Sequence, residues 1–402
     1  MKWFVSIPSL LLISSLLLIV NKAHADAWNS AMISVGQTWN QNAVLFSDPY
    51  SSTVWGTIKE QSVELSDEDQ IDNTVFIRTP YYQKSSGAFL LTQKQDHSPF
   101  NRNAPLIVIL PGIFKSAFDG NELANAEDFY RQGYHVLLLS NPWSLDSIGN
   151  NPTVKPGDIV NEGKWVLATI QQLMATHDLS SQYISSISIY GESYGGFLGS
   201  VVAGEDDPKN PLITGKVMLA SPPISMTTAL TKLDSIVDDT ASIESECAAN
   251  KLKIGIAFFK ANSQASLSPN SVQCAEWLVA STFNQSLYQS MSAIQKTTLN
   301  VPEGPFQTRF QYYLENFVPE VNAMCATTAK CTLGFWISQA ASNGKNEIQI
   351  VAAKDDFLNA GQSWDPIAQL LANPPDQLIL LDWGGHLGYT ASTLYTDAVF
   401  TN

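Results

Sequence analysis

From Asn103 onward the chain alternates short, unbroken apolar runs with longer amphipathic stretches, and this alternation constrains the fold more than any other feature. Leu106-Ile107-Val108-Ile109-Leu110 is apolar at every position, the mark of a strand covered on both faces. Tyr134 to Ser140, Ile184 to Tyr190, Lys216 to Ala220, Ile348 to Ala353 and Leu378 to Leu381 extend the series. Between them, Asn121 to Gln132, Asp158 to His177 and Gly195 to Ala203 have helical spacing. The succession predicts an α/β fold, a mostly parallel central sheet flanked by helices. Before Asn103, segments around Thr53–Lys59, Thr74–Thr79 and Ala88–Thr92 alternate apolar with polar residues and are expected as antiparallel edge strands.

One interval breaks the rhythm. From Pro222 to Lys345, about 120 residues carry mostly helical periodicity and no strong buried strand, which predicts an inserted helical cap. The expected organisation is a leader over 1–25, a core over 26–221, a cap over 222–345 and the rest of the core over 346–402. The cap contains 8 basic and 9 acidic residues, whereas the whole chain has 22 Lys and Arg against 37 Asp and Glu, a net charge of −15. Its acidity therefore belongs to the core. The cap is instead rich in aromatics, among them Phe258, Trp277, Phe283, Phe310, Tyr313, Phe317 and Trp336. Most of these are expected to form the cap's own core, and a few to line an apolar pocket beneath it.

With 45% hydrophobic residues and no basic block, the chain is neither disordered nor suited to nucleic acid. None of the four cysteines or five histidines falls in a Cys-x-x-Cys or His-x-x-x-His arrangement, so no metal or organic cofactor is called for.

Met1-Lys2, the apolar run Leu10–Val20 and Ala23-His24-Ala25 have the order of a secretory signal cleaved before Asp26; an uncleaved anchor is the alternative. Export, periplasmic or secreted, with no stable membrane span after cleavage, is the expectation. An oxidising compartment favours disulfides, and the order along the chain suggests Cys247–Cys274 and Cys325–Cys331, although four cysteines allow three pairings.

Chemistry concentrates at Gly191-Glu192-Ser193-Tyr194-Gly195-Gly196, between an apolar strand and a helix. A serine at such a turn stands in strained backbone, and flanking glycines remove side chains that would collide there. The turn also aims a helix N-terminus at any negative charge developing beside Ser193, with the Tyr194 N–H as one donor. A serine hydroxyl needs a base, and the base needs an orienting acid. His386, in Trp383-Gly384-Gly385-His386-Leu387-Gly388-Tyr389 after the last strand, is the only histidine beyond Ser193. Asp355 and Asp356 close the strand Ile348–Ala353 and supply the acid.

The order Ser193, Asp, His386 and the Gly-x-Ser-x-Gly-Gly turn resemble the α/β-hydrolase superfamily, over the region from about Asn103 to the C-terminus. Gly-Gly-His-Leu-Gly brings its esterase and serine-aminopeptidase-like branches closest. The resemblance implies the α/β-hydrolase fold, with a cap inserted after the sixth strand. It places the acid three residues beyond a small residue, here Ala353, which favours Asp356 over Asp355. It also implies a second oxyanion donor in Leu110-Pro111-Gly112-Ile113-Phe114, the N–H of Ile113 or, second, of Phe114. Pro111 stands where the superfamily usually has histidine. Glu192 has two readings, recognition of a peptide's terminal carboxylate or a polar side chain packed beside the site.

The activity so implied is hydrolysis of a carboxylic ester through an acyl-enzyme on Ser193, with no cofactor. The near-neutral aromatic cap favours an uncharged, apolar acyl substrate. An exopeptidase would use the same residues, and so would an acyltransferase; a noncatalytic binding protein is the rival from a different class.

Overall fold

The computed structural model describes residues 46–390, apart from 60–73, 80, 82, 85, 95–100, 151, 177–178, 180, 262, 298, 344–346 and 373–376. The expected leader and its cleavage site lie outside the described residues. Helix α1 (Pro49–Lys59) comes first, followed by strands β1 (Thr74–Ile77), β2 (Ser86–Leu91) and β3 (Ala104–Leu110). Helix α2 (Gly120–Arg131), β4 (His135–Leu139), α3 (Leu145–Gly149), α4 (Ile159–Thr176) and β5 (Ile184–Glu192) come next. Helix α5 (Tyr194–Glu205) and β6 (Val217–Ala220) precede the helical insertion of α6 (Met226–Asp239), α7 (Glu244–Lys260), α8 (Pro269–Ile294), α9 (Phe310–Asn316), α10 (Pro319–Thr327) and α11 (Leu333–Asn343). The chain then returns through β7 (Ile348–Ala353), α12 (Asp365–Leu370) and β8 (Gln377–Leu381).

Among the described residues the strands form one sheet of order β1-β2-β4-β3-β5-β6-β7-β8. β2 runs antiparallel to both β1 and β4, and every other neighbour is parallel. This is the α/β architecture expected. In β3 the two-residue period sends Leu106, Val108 and Leu110 to one face and Ile107 and Ile109 to the other, each into its own buried apolar cluster. Full burial of such a side chain is worth about 1.5–3 kcal/mol, so a one-residue slip in register would be costly. Helix α5 lies buried from Tyr194 to Ala203, which explains why its sequence has no polar side.

The expected edge strand at Thr53–Lys59 is a helix, α1. Its start is set by Asp48, whose carboxylate accepts the Ser51 N–H at 2.6 Å, and by Pro49 at the first helical position. Tyr50, Val54 and Ile58 all pack on the core, a four-residue spacing that outweighs the apparent two-residue alternation. The other expected elements stand within one or two residues of their bounds.

Between β6 and β7 the insertion is helical and adds no strand to the sheet among the described residues. Disulfides join Cys247 of α7 to Cys274 of α8, and Cys325 of α10 to Cys331. Phe258, Phe310, Tyr313, Phe317 and Trp336 are all buried, as a helical insertion with a core of its own requires. The insertion rests on the sheet layer through Trp143. That ring lies 4.6 Å from Tyr313, and the Trp143 carbonyl accepts the Ser290 hydroxyl at 2.8 Å.

Candidate active site

β5 ends at Glu192, and α5 begins at Tyr194, which leaves Ser193 as the whole of the turn between them. Ser193 has φ 54 and ψ −120, a conformation that costs a residue with a side chain on the order of 1–3 kcal/mol. The surroundings impose it. The Ser193 N–H bonds the Ala220 carbonyl of β6 at 2.8 Å, and its own carbonyl accepts the Phe197 N–H at 3.0 Å. Gly195 is required by close approach, since a Cβ there would stand 1.9 Å from the Leu110 carbonyl oxygen.

His386 reaches this turn from the loop after β8. Its Nε2 lies 2.7 Å from Ser193 Oγ, and its Nδ1 lies 2.9 Å from Asp356 Oδ2. The ionised carboxylate only accepts, so it fixes the imidazole proton on Nδ1 and leaves Nε2 free to accept from the serine hydroxyl. Asp356 Oδ1 takes the Leu358 N–H at 2.9 Å, which holds the carboxylate in place. Ser193, Asp356 and His386 are all at most 5% exposed, so these bonds operate out of bulk water. Asp355 faces elsewhere. Its Oδ1 accepts the Gly385 N–H at 2.9 Å, tying the end of β7 to the histidine loop, and burial pushes its carboxyl above the usual range.

The Gly112–Phe114 loop runs beside the serine, for a Cβ at Gly112 would lie 3.7 Å from Ser193 Cβ. Asn141 donates to the Pro111 carbonyl at 3.0 Å, and the Lys115 N–H closes a turn on the Gly112 carbonyl at 3.2 Å. Phe114 adopts φ 70 and sends its ring among Trp143, Phe283 and Phe310. Tyr194, as the first residue of α5, has an N–H with no carbonyl to meet inside its helix. The loop carrying Ile113 and the amide of Tyr194 thus both adjoin the serine.

Three residues that sequence reasoning passed over support this group. Asn141 holds the Gly112 loop. Glu162, on α4, accepts the Tyr194 hydroxyl at 2.6 Å and the Gly157 N–H at 2.7 Å; burial pushes its carboxyl up to about 8. Thr53, on α1, accepts the His386 N–H at 2.8 Å. No local motif marks any of them, since the partners that tie them to the site, Pro111, Tyr194 and His386, are distant in sequence. Glu192 is buried, with Oε1 accepting the Asn125 side chain at 3.1 Å and the Tyr190 hydroxyl, which agrees with a polar side chain packed beside the site.

No protein-family model matches the chain, nor does any curated protein. Among solved structures it is similar to an esterase of Pyrococcus furiosus, at 13% identity and TM-score 0.46, over 85% of this chain and 94% of that one. It is also similar to an alpha/beta hydrolase from a Penicillium species, at 13% identity and TM-score 0.45, over 81% and 94%. A proline iminopeptidase of Mycobacterium smegmatis gives 12% identity and TM-score 0.44, over 82% and 96%. The fold is assigned on the chain's own topology. A mostly parallel eight-stranded sheet with an antiparallel second strand, and a strand–serine–helix turn at β5, make this an α/β-hydrolase fold.

Proposed function

We propose that the protein is an exported serine hydrolase that cleaves a carboxylic ester through an acyl-enzyme. The observation that carries this reading is the buried chain of hydrogen bonds from Ser193 through His386 to Asp356, at 2.7 and 2.9 Å. Ser193 Oγ attacks the ester carbonyl while His386 Nε2 takes its proton, and Asp356 stabilises the imidazolium that forms. The carbonyl oxygen becomes an oxyanion, stabilised by the amides of Tyr194 and Ile113. Collapse expels the alcohol, which receives the proton from His386. Water then enters, gives its proton to the same nitrogen and attacks the acyl-enzyme, releasing the acid and restoring the serine.

The substrate is an uncharged, apolar acyl ester. This is supported by the aromatic side chains that Phe114 meets, Phe283 and Phe310 of the insertion, and by the insertion's near balance of charge. Two disulfides suit an oxidising compartment, and among the described residues no helix is long and apolar enough to cross a membrane.

The test is labelling with a fluorophosphonate, followed by ester and peptide panels on the same preparation. Wild-type protein should label and turn over short apolar esters, and Ser193→Ala should do neither. Folded wild-type protein that neither labels nor turns over any acyl substrate overturns the reading. Release of amino acids from peptides without turnover of esters replaces it with an exopeptidase.

A further inference from the structure

The loop that carries His386 runs through left-handed backbone on both sides of it, with strain at Leu387. Gly385 has φ 57, and Leu387, which has a side chain to accommodate, has φ 65. Such a backbone persists only where its surroundings determine it. Much of that determination comes from α1, which lies more than 300 residues earlier and carries no motif.

The contact is close and specific. The His386 N–H donates to Thr53 Oγ1 at 2.8 Å in a buried position, and the Thr53 hydroxyl donates onward to the Pro49 carbonyl at 2.7 Å. Backbone meets backbone on both sides of this bond. A Cβ at Gly385 would lie 2.1 Å from the Pro49 oxygen, and one at Gly56 would lie 2.6 Å from Gly388 Cα. The same helix also reaches the acid's neighbour, for the Tyr50 ring stacks on Phe357 at 4.9 Å and Phe357 meets the imidazole edge-on at 5.8 Å. The helix also touches the insertion. Phe46, just before α1, packs on both Trp55 and Phe258 of α7, and Glu276 of α8 faces the Tyr50 hydroxyl.

We infer that Thr53, on α1, is a positioning residue for His386, holding by the main chain the imidazole that Asp356 holds by its ring. The inference rests on the catalytic reading of His386 given above. Thr53 touches no reacting atom. It fixes the main-chain position from which Nε2 meets Ser193, and a displacement of about 1 Å at such a position can cost about 100-fold in rate. Because α1 also packs on α7 and α8, it joins the helical insertion to the catalytic base.

The test uses the full chain, with fluorophosphonate labelling rates and with kcat and KM on p-nitrophenyl butyrate. Thr53→Val keeps the shape and removes the acceptor; labelling and kcat should fall 10- to 100-fold with KM within twofold. Thr53→Ser restores the hydroxyl and should return both to within threefold of wild type. Val54→Ala loosens the same helix from the core without touching the His386 bond, and should lower Tm while leaving kcat within threefold. In hydrogen exchange, Thr53→Val should unprotect residues 384–388 and leave β7 protected. Wild-type rates in Thr53→Val, failure of Thr53→Ser to rescue, or equal loss of kcat in Val54→Ala would each overturn the inference. If Thr53→Val does not fold, exchange of the wild-type 384–388 amides decides, and rates typical of an exposed loop reject the clamp. If the wild-type protein neither labels nor hydrolyses, the ester reading falls while the exchange comparison still decides whether α1 holds the loop.

Discussion

Two adjacent aspartates close β7 and do different work. Asp356 bonds the imidazole at 2.9 Å, and Asp355 bonds the backbone of the imidazole's loop at 2.9 Å. Asp356→Asn presents a neutral group that no longer favours the imidazolium or the Nδ1 tautomer, and kcat on a short ester should fall by roughly 10³- to 10⁴-fold. Asp355→Asn keeps a carbonyl acceptor for Gly385 and should lose less than about 10-fold. Equal losses in the two variants would show the roles to be wrongly divided. Glu162 gives a second test, through pH. Its carboxyl is raised from 4.5 to about 8, so between those values the native state holds a proton that the unfolded chain has released. The stability it contributes is complete below about 4.5 and is lost as pH rises through 8. The expected loss is on the order of 5 kcal/mol, from 1.36 kcal/mol per pKa unit. Glu162→Gln keeps one acceptor and one donor without a charge and should flatten that slope, as urea unfolding at pH 5, 6.5 and 8 would reveal. Parallel slopes in the two proteins would reject this account of Glu162. At this scale sequence identifies groups whose chemistry is intrinsic, such as Ser193 and His386. Thr53 and Glu162 escape it because a threonine in a helix and a glutamate in a helix have no local oddity. Their function arises from contacts across 333 and 32 residues.

Elements were legible in proportion to their burial. Strand β3, apolar throughout, is plain in the sequence, while α1 reads there as an edge strand because its buried positions, Ser51 to Gly56, mix polar with apolar residues. Two of those polar residues, Ser52 and Thr53, meet the histidine loop, so the feature that obscures the helix is the one that gives it a role. The disulfides show the same dependence on element scale. Cys247–Cys274 closes 27 residues between two long helices, and Cys325–Cys331 closes 6 within a local turn. If a disulfide acts by constraining the unfolded chain, the first is worth about 3.5 kcal/mol and the second about 2. Replacing each pair by alanines and following urea unfolding should reproduce that order, with the Cys247–Cys274 variant the less stable. The reverse order would mean that native packing around Cys325 and Cys331 outweighs loop closure.

At the scale of the whole molecule, the uneven division of charge along the chain bears on the substrate proposed above. The chain carries −15, yet residues 222–345 hold 8 basic against 9 acidic residues, so nearly all of the excess lies outside the insertion in sequence. That asymmetry was legible from sequence, as was the parallel sheet, because both follow from runs of like residues. The path of Phe114 was not, since its ring leaves a turn at φ 70 to meet Phe283 and Phe310 from another part of the chain. A neutral ester should enter without regard to the field of the molecule. A hemisuccinate ester of the same alcohol carries its charge toward a molecule of net −15, and its kcat/KM should be lower at low ionic strength. Salt separates this from simple steric preference. The screening length falls from about 10 Å at 0.1 M to about 3 Å at 1 M, so added NaCl should raise kcat/KM for the hemisuccinate and leave the neutral ester nearly unchanged. A hemisuccinate rate that is low but indifferent to salt would assign the discrimination to the shape of the pocket. Equal rates for both esters at every salt concentration would remove charge from the account of substrate choice altogether.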